Sequence, residues 1–302
     1  MADWFRSSRR RAGGDAAGQP FDAAGMVAAD GERGAVRRRE LLLAGAGGAV
    51  GLLAGWQLST GPFPASGGGD PGKLYHDASK HGLGPLSGAI GGAAGGSQSR
   101  DPGGRIPLPV DFSDRGLSVE EAIEQRRSIR SYSRVPMTPA ELSRLLHRAD
   151  GITDPSTGFR AAPSAGALYP LEIHAFANNV EGVPRGIYRY DVRGHSLERV
   201  AAGDFRPRLL AAAIGQSVVV DAAVVLVLSA VFERTRQKYR ERSYRYILME
   251  CGHVAQNVYL AATSMGLGAC VVGAFLDDAL NGLLGLDGEE EAALYLITVG
   301  HR

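Results

Sequence analysis

The 302-residue chain lacks several features that would define a function at once. It has only two cysteines, Cys251 and Cys270, whose spacing excludes a disulfide framework and a cysteine metal site. Both lie in apolar segments, which favours core packing over redox chemistry. The net charge is +1, so no strong basic field points to nucleic acid as a partner. Apolar runs are also short, and Leu41 to Leu58 is near the lower limit for a membrane span.

Glycine, in contrast, is abundant at 42 residues and unevenly spread, and it marks the organisation of the amino-terminal third. Residues 1–36 have no apolar period and are predicted to be disordered. Residues 37–58 begin with three arginines and continue as a mild, glycine-rich apolar segment, which resembles a twin-arginine export signal. No clean cleavage site follows, so an uncleaved membrane anchor is the alternative. We expect an exported, extracytoplasmic or periplasmic protein, or a cytoplasmic one if this signal is not used.

The remaining chain divides into a linker and one folded domain. Residues 59–104 are rich in Gly, Pro and Ser, a composition that buries too little apolar surface to offset the entropy of ordering the chain. We therefore predict a linker over 59–104 and a single domain over 105–302. A domain of about 200 residues is long enough for one hydrophobic core.

Helix and strand signals alternate along this domain. Ser118 and Thr138 each begin a capping box, so helices are predicted to start at Val119 and at Pro139. Further predicted elements are a strand at Leu171–Ala177, a hairpin of Gly186–Tyr190 with His195–Val200, a helix capped by Asp204, a strand at Ala222–Val231 buried on both faces, one long helix from Arg234 to Met265, a short strand at Val271–Val272, a helix at Asp278–Leu284 and a final strand at Ala293–Val299. The class is α+β.

The segment after the first of these helices concentrates basic and hydroxyl side chains. Arg126, Arg127, Ser128 and Arg130 supply guanidinium forks and a hydroxyl, which suit a phosphate dianion because charge-assisted, bidentate hydrogen bonds are strong. A solvated basic helix end, whose cations complement the helix dipole, is the alternative. Composition alone favours this alternative.

Several further motifs, taken together, are specific. They are Arg126-Arg127-Ser128-Ile129-Arg130-Ser131-Tyr132, Ala162-Pro163-Ser164-Ala165-Gly166-Ala167-Leu168-Tyr169-Pro170, Gly186-Ile187-Tyr188-Arg189-Tyr190, Glu250-Cys251-Gly252-His253, and Gly266-Leu267-Gly268-Ala269-Cys270-Val271-Val272-Gly273-Ala274-Phe275. From about Leu108 to Arg302 the chain resembles the FMN-dependent nitroreductase superfamily, most closely its SagB/ThcOx-type, azoline oxidase-like dehydrogenases. The resemblance implies a central, mostly antiparallel sheet surrounded by helices, and a homodimer with FMN at the subunit interface.

The resemblance also implies a set of flavin-binding residues. These are Arg126, Arg127, Ser128 and Arg130 at the phosphate and ribityl end, Pro163, Ser164, Ala165, Gly166, Ala167 and Leu168 against the isoalloxazine ring, Gly273 and Ala274 near its reactive edge, and Arg302 at the carboxyl terminus. Small residues in the ring-facing loop allow close backbone approach, and Gly166 can adopt a positive φ without strain. We expect the arginine segment and this loop to hold the two ends of one cofactor.

Lys238 and Tyr239 resemble the lysine–tyrosine pair that azoline-oxidising members use to remove a proton. Oxidation of an azoline to an azole removes one proton and one hydride, and a base must accept the proton. A lysine accepts a proton only in its neutral form, which burial favours. The alternative, a solvated charged helix start, is equally compatible with the neighbouring arginines.

A single acidic motif invites a metal interpretation. Glu250 and His253 have the i, i+3 spacing of half a di-iron site. Such a site needs a second motif and two more carboxylates, which the sequence does not supply. We therefore predict no metal and a role in helix packing.

The sequence favours an FMN-dependent oxidoreductase that transfers hydride between a substrate and flavin N5. The substrate is either a small molecule or a modified peptide whose azolines become azoles. The first alternative is an NAD(P)H-dependent reductase of nitro compounds or quinones. A second, from a different class, is a non-catalytic flavin-fold module tethered to the membrane.

Overall fold

The computed structural model describes residues 70–80, 82, 104–113 and 116–302. The predictions for residues 1–36 and for the export-like segment at 37–58 lie outside these ranges. Within them, no helix is long and apolar enough to cross a membrane.

The helices and strands follow one another in an intermixed order. The helices are α1 (Pro71–Ser79), α2 (Val119–Gln125), α3 (Pro139–Asp150), α4 (Arg206–Ala212), α5 (Val218–Asp221), α6 (Phe232–Tyr239), α7 (Ser243–Ser264) and α8 (Asp277–Leu284). The strands are β1 (Arg105–Pro107), β2 (Ile152–Asp154), β3 (Phe159–Arg160), β4 (Leu171–Ala177), β5 (Gly186–Asp191), β6 (Ser196–Ala202), β7 (Val224–Val231), β8 (Leu267–Val272) and β9 (Glu291–His301). Single 3₁₀ turns lie at Ala165–Ala167 and Arg240–Arg242.

Seven strands form the central sheet, in the order β1-β6-β5-β4-β7-β9-β8, and every neighbouring pair is antiparallel. The predicted α+β class and antiparallel sheet are confirmed. β2 and β3 form a separate two-stranded ribbon. β8 is an edge strand of the large sheet, so one side of its backbone is free to pair with other segments.

Strand β7 shows how the sheet divides the core. Its side chains point alternately to opposite faces, because the period of a strand is two. Leu226 and Leu228 enter the cluster that α3 and α7 cover, whereas Val225 and Val227 enter the cluster beneath α4, α5 and α8. All four are fully buried, as predicted for a strand covered on both faces.

The local signals at helix starts are confirmed. Ser118 and Thr138 both make complete capping boxes, with their hydroxyls accepting from the backbone N–H groups of Glu121 and Glu141. The prediction for Asp204 is wrong, because the N-cap of α4 is Phe205. Asp204 instead accepts hydrogen bonds from the backbone and guanidinium of Arg206.

The predicted single helix from Arg234 to Met265 is also wrong. The chain forms α6, a 3₁₀ turn and then α7, because Arg240 has φ 48° and ψ −126°. A non-glycine residue with positive φ cannot continue a right-handed helix. Since arginine carries no signal for this conformation, the break was not visible in the pattern of polar residues.

Helix α1 lies within the 59–104 segment that we predict to be a linker. Asp70 accepts from the backbone N–H of Gly72 at 2.8 Å and caps the helix. His76 is buried, with Nδ1 hydrogen-bonded to the Tyr244 hydroxyl and Nε2 3.1 Å from the Gly288 carbonyl. Its ring also packs edge-on against Phe232, with 5.3 Å between ring centres. One histidine thus fastens α1 to α6 and α7.

We predict that α1 detaches as the pH falls below 6.5. Burial lowers the pKa of His76 from its ordinary value of 6.5, so the detached state binds a proton first. The docking free energy is therefore unaffected above pH 6.5 and is lost between 6.5 and the lower pKa of the docked state. Hydrogen exchange of the α1 amides at pH 8 and pH 5 measures this.

Substitution His76→Asn should weaken docking by about 1–3 kcal/mol at pH 8, because the buried Tyr244 hydroxyl loses its partner and the Gly288 carbonyl keeps only Lys80 Nζ. His253→Asn, at an exposed histidine of α7, is the matched control. Equal protection of α1 in wild type at both pH values would contradict the role of His76.

Candidate active site

The arginine segment is held in place by one tyrosine of α7. The guanidinium carbon of Arg126 lies 5.2 Å from the centre of the Tyr259 ring, and Ser128 Oγ lies 2.9 Å from its hydroxyl. The same hydroxyl accepts from the backbone N–H of Val271 at 3.0 Å, which leaves its own proton for Ser128. Arg126 and Ser128 are therefore brought together beside β8.

The free edge of β8 positions the next residues. The Ile129 N–H donates to the carbonyl of Ala269 at 2.8 Å, and Nε of Arg302 donates to the carbonyl of Leu267 at 3.2 Å. Leu267 and Ala269 are alternate residues of one strand, so their carbonyls point to the same edge. The carboxyl-terminal Arg302 therefore lies on the edge that also carries the Arg126–Arg130 segment.

The other two arginines of the segment are placed differently. Arg127 donates from Nη1 to the carbonyls of Glu124 and its neighbour Arg126, at 2.9 and 2.7 Å. These are carbonyls at the end of α2, so Arg127 makes the contacts of a basic helix end. Arg130 is exposed. Within one chain, Arg126, Ser128 and Arg302 share the β8 edge, and Arg127 turns back to its own helix.

The small-residue loop has the backbone conformation that its glycine allows. Gly166 has φ 65° inside the 3₁₀ turn, in the left-handed region. Ser164 accepts from the backbone N–H of Tyr169 at 2.9 Å through its hydroxyl, and the Ala167 N–H donates to the Ser164 carbonyl at 3.0 Å. These two bonds close the loop on itself before Pro170 begins the approach to β4.

The predicted catalytic pair lies directly against this loop. A Cβ placed on Gly166 would lie 2.8 Å from both Nζ of Lys238 and the hydroxyl oxygen of Tyr239. Lys238 is exposed and Tyr239 is partly buried in the single chain. Because α6 ends at Tyr239, both side chains reach the loop from the last turn of that helix. The structure thus brings together Lys238, Tyr239 and the ring-facing loop.

Residues 273 and 274 continue from the end of β8. A Cβ on Gly273 would meet only the Tyr295 ring, at an ordinary 3.8 Å, so the protein itself leaves space beside it. The carbonyl of Ala274 accepts from Nε2 of Gln216 at 2.8 Å. Val271 bonds Tyr259, and Gly273 comes two residues later, directly after the end of β8. It therefore follows the strand whose edge carries the arginine segment.

Two buried acids lie beneath the loop: the sequence assigned Glu250 only to helix packing, and Asp150 was not singled out. Glu250 of α7 is only 2% exposed, and Asp150 at the end of α3 is 1% exposed. Burial raises the pKa of Glu250 to about 7, against hydrogen bonds from Ser164 and the Ala165 N–H that lower it. Glu250 is therefore linked to the small-residue loop by hydrogen bonds from Ser164 and Ala165. No group of three or more potential metal ligands occurs among the described residues.

Within one chain, no contact described above joins the arginine segment to the small-residue loop. Glu250 lies under the loop and Tyr259 lies under the arginine segment, and both belong to α7. They are nine positions apart, which at about 100° per residue places them on opposite faces of the helix. The loop and the arginine segment consequently lie on opposite sides of α7.

Comparison with known proteins identifies the family. Residues 123–301 match the nitroreductase family, which covers more than half of the chain. A protein of Methanocaldococcus jannaschii with a provisional assignment as a nitroreductase is 43% identical over 186 residues, spanning 62% of this chain and 92% of the relative. The chain belongs to the nitroreductase family, and it is an oxidoreductase with the nitroreductase-like fold.

Two further matches come from peptide-processing systems. The microcin B17-processing protein McbC of Escherichia coli is 32% identical over 195 residues, which span 63% of this chain and 65% of McbC. The structure of the E. coli microcin synthetase McbBCD complex with truncated pro-MccB17 bound matches with a TM-score of 0.53 and 28% identity, covering 64% of this chain and 76% of that one. The resemblance to SagB-like dehydrogenases is thereby confirmed.

Members of the nitroreductase family are typically flavin-dependent, and the described residues fit such a cofactor. Arg126, Ser128 and Arg302 provide donors suited to a phosphate at one edge. The loop at Gly166 offers backbone and almost no side-chain bulk, which a planar ring requires for close approach.

We predict that Gly166→Ala disrupts the site far more than Gly182→Ala. Both glycines have nearly the same φ, 65° and 68°, so both substitutions strain the backbone by about 1 kcal/mol. Only at residue 166 does the new methyl group collide, with Lys238 and Tyr239, because nothing lies within 4 Å of a Cβ at residue 182. Urea unfolding measures the stability of each variant, and the absorbance of bound flavin measures how well each variant binds the cofactor.

The expected result is a similar loss of stability in both variants, with flavin binding reduced at least about 10-fold in Gly166→Ala alone. Equal flavin binding in the two variants would show that the loop does not face the cofactor.

Proposed function

We propose that the protein is an FMN-dependent dehydrogenase of the SagB/ThcOx type, which oxidises azolines in a modified peptide to azoles. The observation that carries this proposal is the placement of Lys238 Nζ and Tyr239 OH against the Gly166 loop. The likeness to a microcin B17-processing protein supports a peptide substrate. When bound, FMN supplies the hydride acceptor for this chemistry.

The residues of this chain divide the remaining work. The Lys238–Tyr239 pair accepts the proton that leaves the azoline as the hydride departs, so that two electrons and two hydrogens are removed in balance. The Gly166 loop sets the plane of the ring by backbone contact, and Arg126 with Ser128 and Arg302 binds the phosphate end. Molecular oxygen would be the final acceptor of the two electrons. The Lys238–Tyr239 pair lies on α6, the loop precedes β4, and the phosphate-binding residues lie beside β8.

A second copy of the chain completes the site in this proposal. Within one chain the arginine segment and the ring-facing loop lie on opposite sides of α7. In a homodimer with two-fold symmetry, the segment of one subunit faces the loop of the other, and the relation is repeated at the second site. Docking of the second copy would also shield Lys238 from solvent.

A reductase that uses NAD(P)H for nitro compounds or quinones is the second candidate. The relative from M. jannaschii, with its provisional nitroreductase assignment, favours this function. The same bound flavin would then be reduced by a nicotinamide and would pass the hydride to the substrate. A membrane-tethered flavin-fold module without catalysis is the candidate from another class.

Absorption spectroscopy and one reductant distinguish the three candidates. Purified full-length protein that is yellow and stays yellow in anaerobic NADPH, but bleaches with an azoline-containing peptide, supports the dehydrogenase. Rapid bleaching by NADPH alone assigns the reductase. Colourless protein from flavin-replete cells assigns the non-catalytic module.

We predict that Lys238→Ala lowers the rate of azoline oxidation by about 10²–10⁴-fold, because a positioned proton acceptor contributes that much. Flavin content should be unchanged, since the lysine is assigned to the proton and not to the phosphate. Lys73→Ala, at a lysine of α1 that pairs with Asp77, is the control. A full rate in Lys238→Ala would remove the proposed base.

We predict that Arg126→Ala weakens FMN binding by about 10-fold to 100-fold, because a hydrogen bond to a charged group contributes about 1.5–3 kcal/mol. Dialysis followed by flavin absorbance measures the retained cofactor. Arg134→Ala, at an exposed arginine outside the β8 edge, is the matched control. Identical retention in both variants would contradict the phosphate assignment of Arg126.

A further inference from the structure

Two buried carboxylates lie beneath the loop and share one cation. Arg160 donates from Nη1 to Oδ2 of Asp150 at 2.8 Å. Among the described residues, the other oxygen of Asp150, Oδ1, has no hydrogen-bond partner, and neither has Oε1 of Glu250. An unpaired negative charge in such surroundings is strongly unfavourable. One guanidinium therefore cannot easily neutralise both acids.

The groups that face Glu250 come from every element packed around it. Asp150 comes from the end of α3, Arg160 from β3, Ser164 and Ala165 from the loop, and Cys251 from α7 itself. Burial and, more weakly, the neighbouring Asp150 raise the pKa of Glu250, while Ser164, Arg160 and Ala165 lower it, and the net value is about 7. Burial also raises the pKa of Asp150, Arg160 lowers it and the charge of Glu172 on β4 raises it, and the net value is about 6. Burial raises the pKa of Cys251, so its thiol stays neutral.

The loop is connected to Glu250 by an ordered set of donors. The Ser164 hydroxyl already accepts from the Tyr169 N–H at 2.9 Å, so its own proton is available to Glu250. The Ala165 N–H is the second donor. Gly166 follows directly, and a Cβ placed on it would lie 2.8 Å from Nζ of Lys238 and from the hydroxyl of Tyr239. A change in the charge of Glu250 therefore acts on Ser164 and Ala165, which directly precede Gly166 in the loop assigned to the flavin ring.

We infer that Glu250 is a positioning residue, which shares a single proton with Asp150 and orients the Ser164–Gly166 backbone toward the flavin according to the protonation of the pair. This inference rests on the proposed function for its flavin contact. In the ionised state, Glu250 draws the Ser164 hydroxyl and the Ala165 N–H toward itself. In the protonated state it accepts these bonds more weakly, and the loop dipoles are freer to face the ring. The negative charge itself also opposes addition of electrons to a nearby ring.

The shared proton is tested without any flavin. Infrared difference spectra of the flavin-depleted full-length chain between pH 5 and pH 9 detect the carbonyl stretch of a buried, protonated carboxyl group. The band should titrate near neutral pH in wild type and disappear in Glu250→Gln. In Asp150→Asn, which removes the neighbouring negative charge, it should titrate at lower pH. A band that is unchanged in both variants overturns the shared proton.

The positioning role is tested on the flavin-loaded protein by its reduction potential. Compared with wild type, Glu250→Gln should have a more positive potential at pH 9, where the wild-type carboxylate is charged, and an equal potential at pH 5, where it is neutral. Asp150→Asn is measured in parallel, in case Glu250→Gln does not fold. Equal potentials in wild type and Glu250→Gln at both pH values overturn the role.

Glu291→Gln is the matched control. Burial raises the pKa of Glu291, but the Ser229 hydroxyl donates to it at 2.6 Å and His174 Nε2 lies 3.7 Å away, and together these groups outweigh burial. The pKa of Glu291 therefore lies below its usual value, and the group stays charged from pH 5 upward. Its removal should not change the difference between pH 5 and pH 9. A chain that binds no flavin would refute the proposed function and the positioning role, whereas the infrared titration would still decide the shared proton. A flavin-loaded, active enzyme without the infrared band would refute the inference alone.

Discussion

The positive φ of Arg240 is the constraint on which the arrangement of the site depends. It ends α6 and allows α7 to start in a new direction, so that two helices instead of one approach the Gly166 loop. Lys238 and Tyr239 reach the loop from the end of α6, and Glu250 reaches it from α7. An uninterrupted helix would place residues 238 and 250 on one rigid cylinder about 18 Å apart along its axis. The break is what lets both contact three consecutive loop residues.

The edge of β8 organises the other half of the site. An exposed strand edge carries unpaired backbone groups, and proteins cover such edges to prevent unwanted pairing. Here Ile129 and Arg302 bond the carbonyls of Ala269 and Leu267, and Tyr259 bonds the N–H of Val271. The groups assigned to the phosphate are thus held by the same bonds that satisfy the sheet. Structural and functional roles coincide in these residues.

The distribution of charge separates the two ends of the proposed cofactor site. Arg126 and Arg302 lie near the surface at the sheet edge, where cations remain solvated until a phosphate replaces the water. Asp150 and Glu250 lie in the core beneath the loop, where burial favours their neutral forms. Cations therefore lie at the proposed phosphate end, and buried acids lie beneath the loop that we propose faces the ring.

The sequence by itself determined the elements whose signals are local. The capping boxes at Ser118 and Thr138, the alternation of Leu171–Ala177 and the apolar run of β7 depend on neighbouring residues, so their positions were predictable. Motif order determined the family and the residues assigned to the flavin. Only the tertiary structure decided the break at Arg240, the docking of α1 through His76, the extension of β8 to Leu267 and the burial of Glu250 and Asp150. These features depend on contacts between residues far apart in the chain. For example, glycine weakens a strand on its own, but pairing with β9 extends β8 through Gly268.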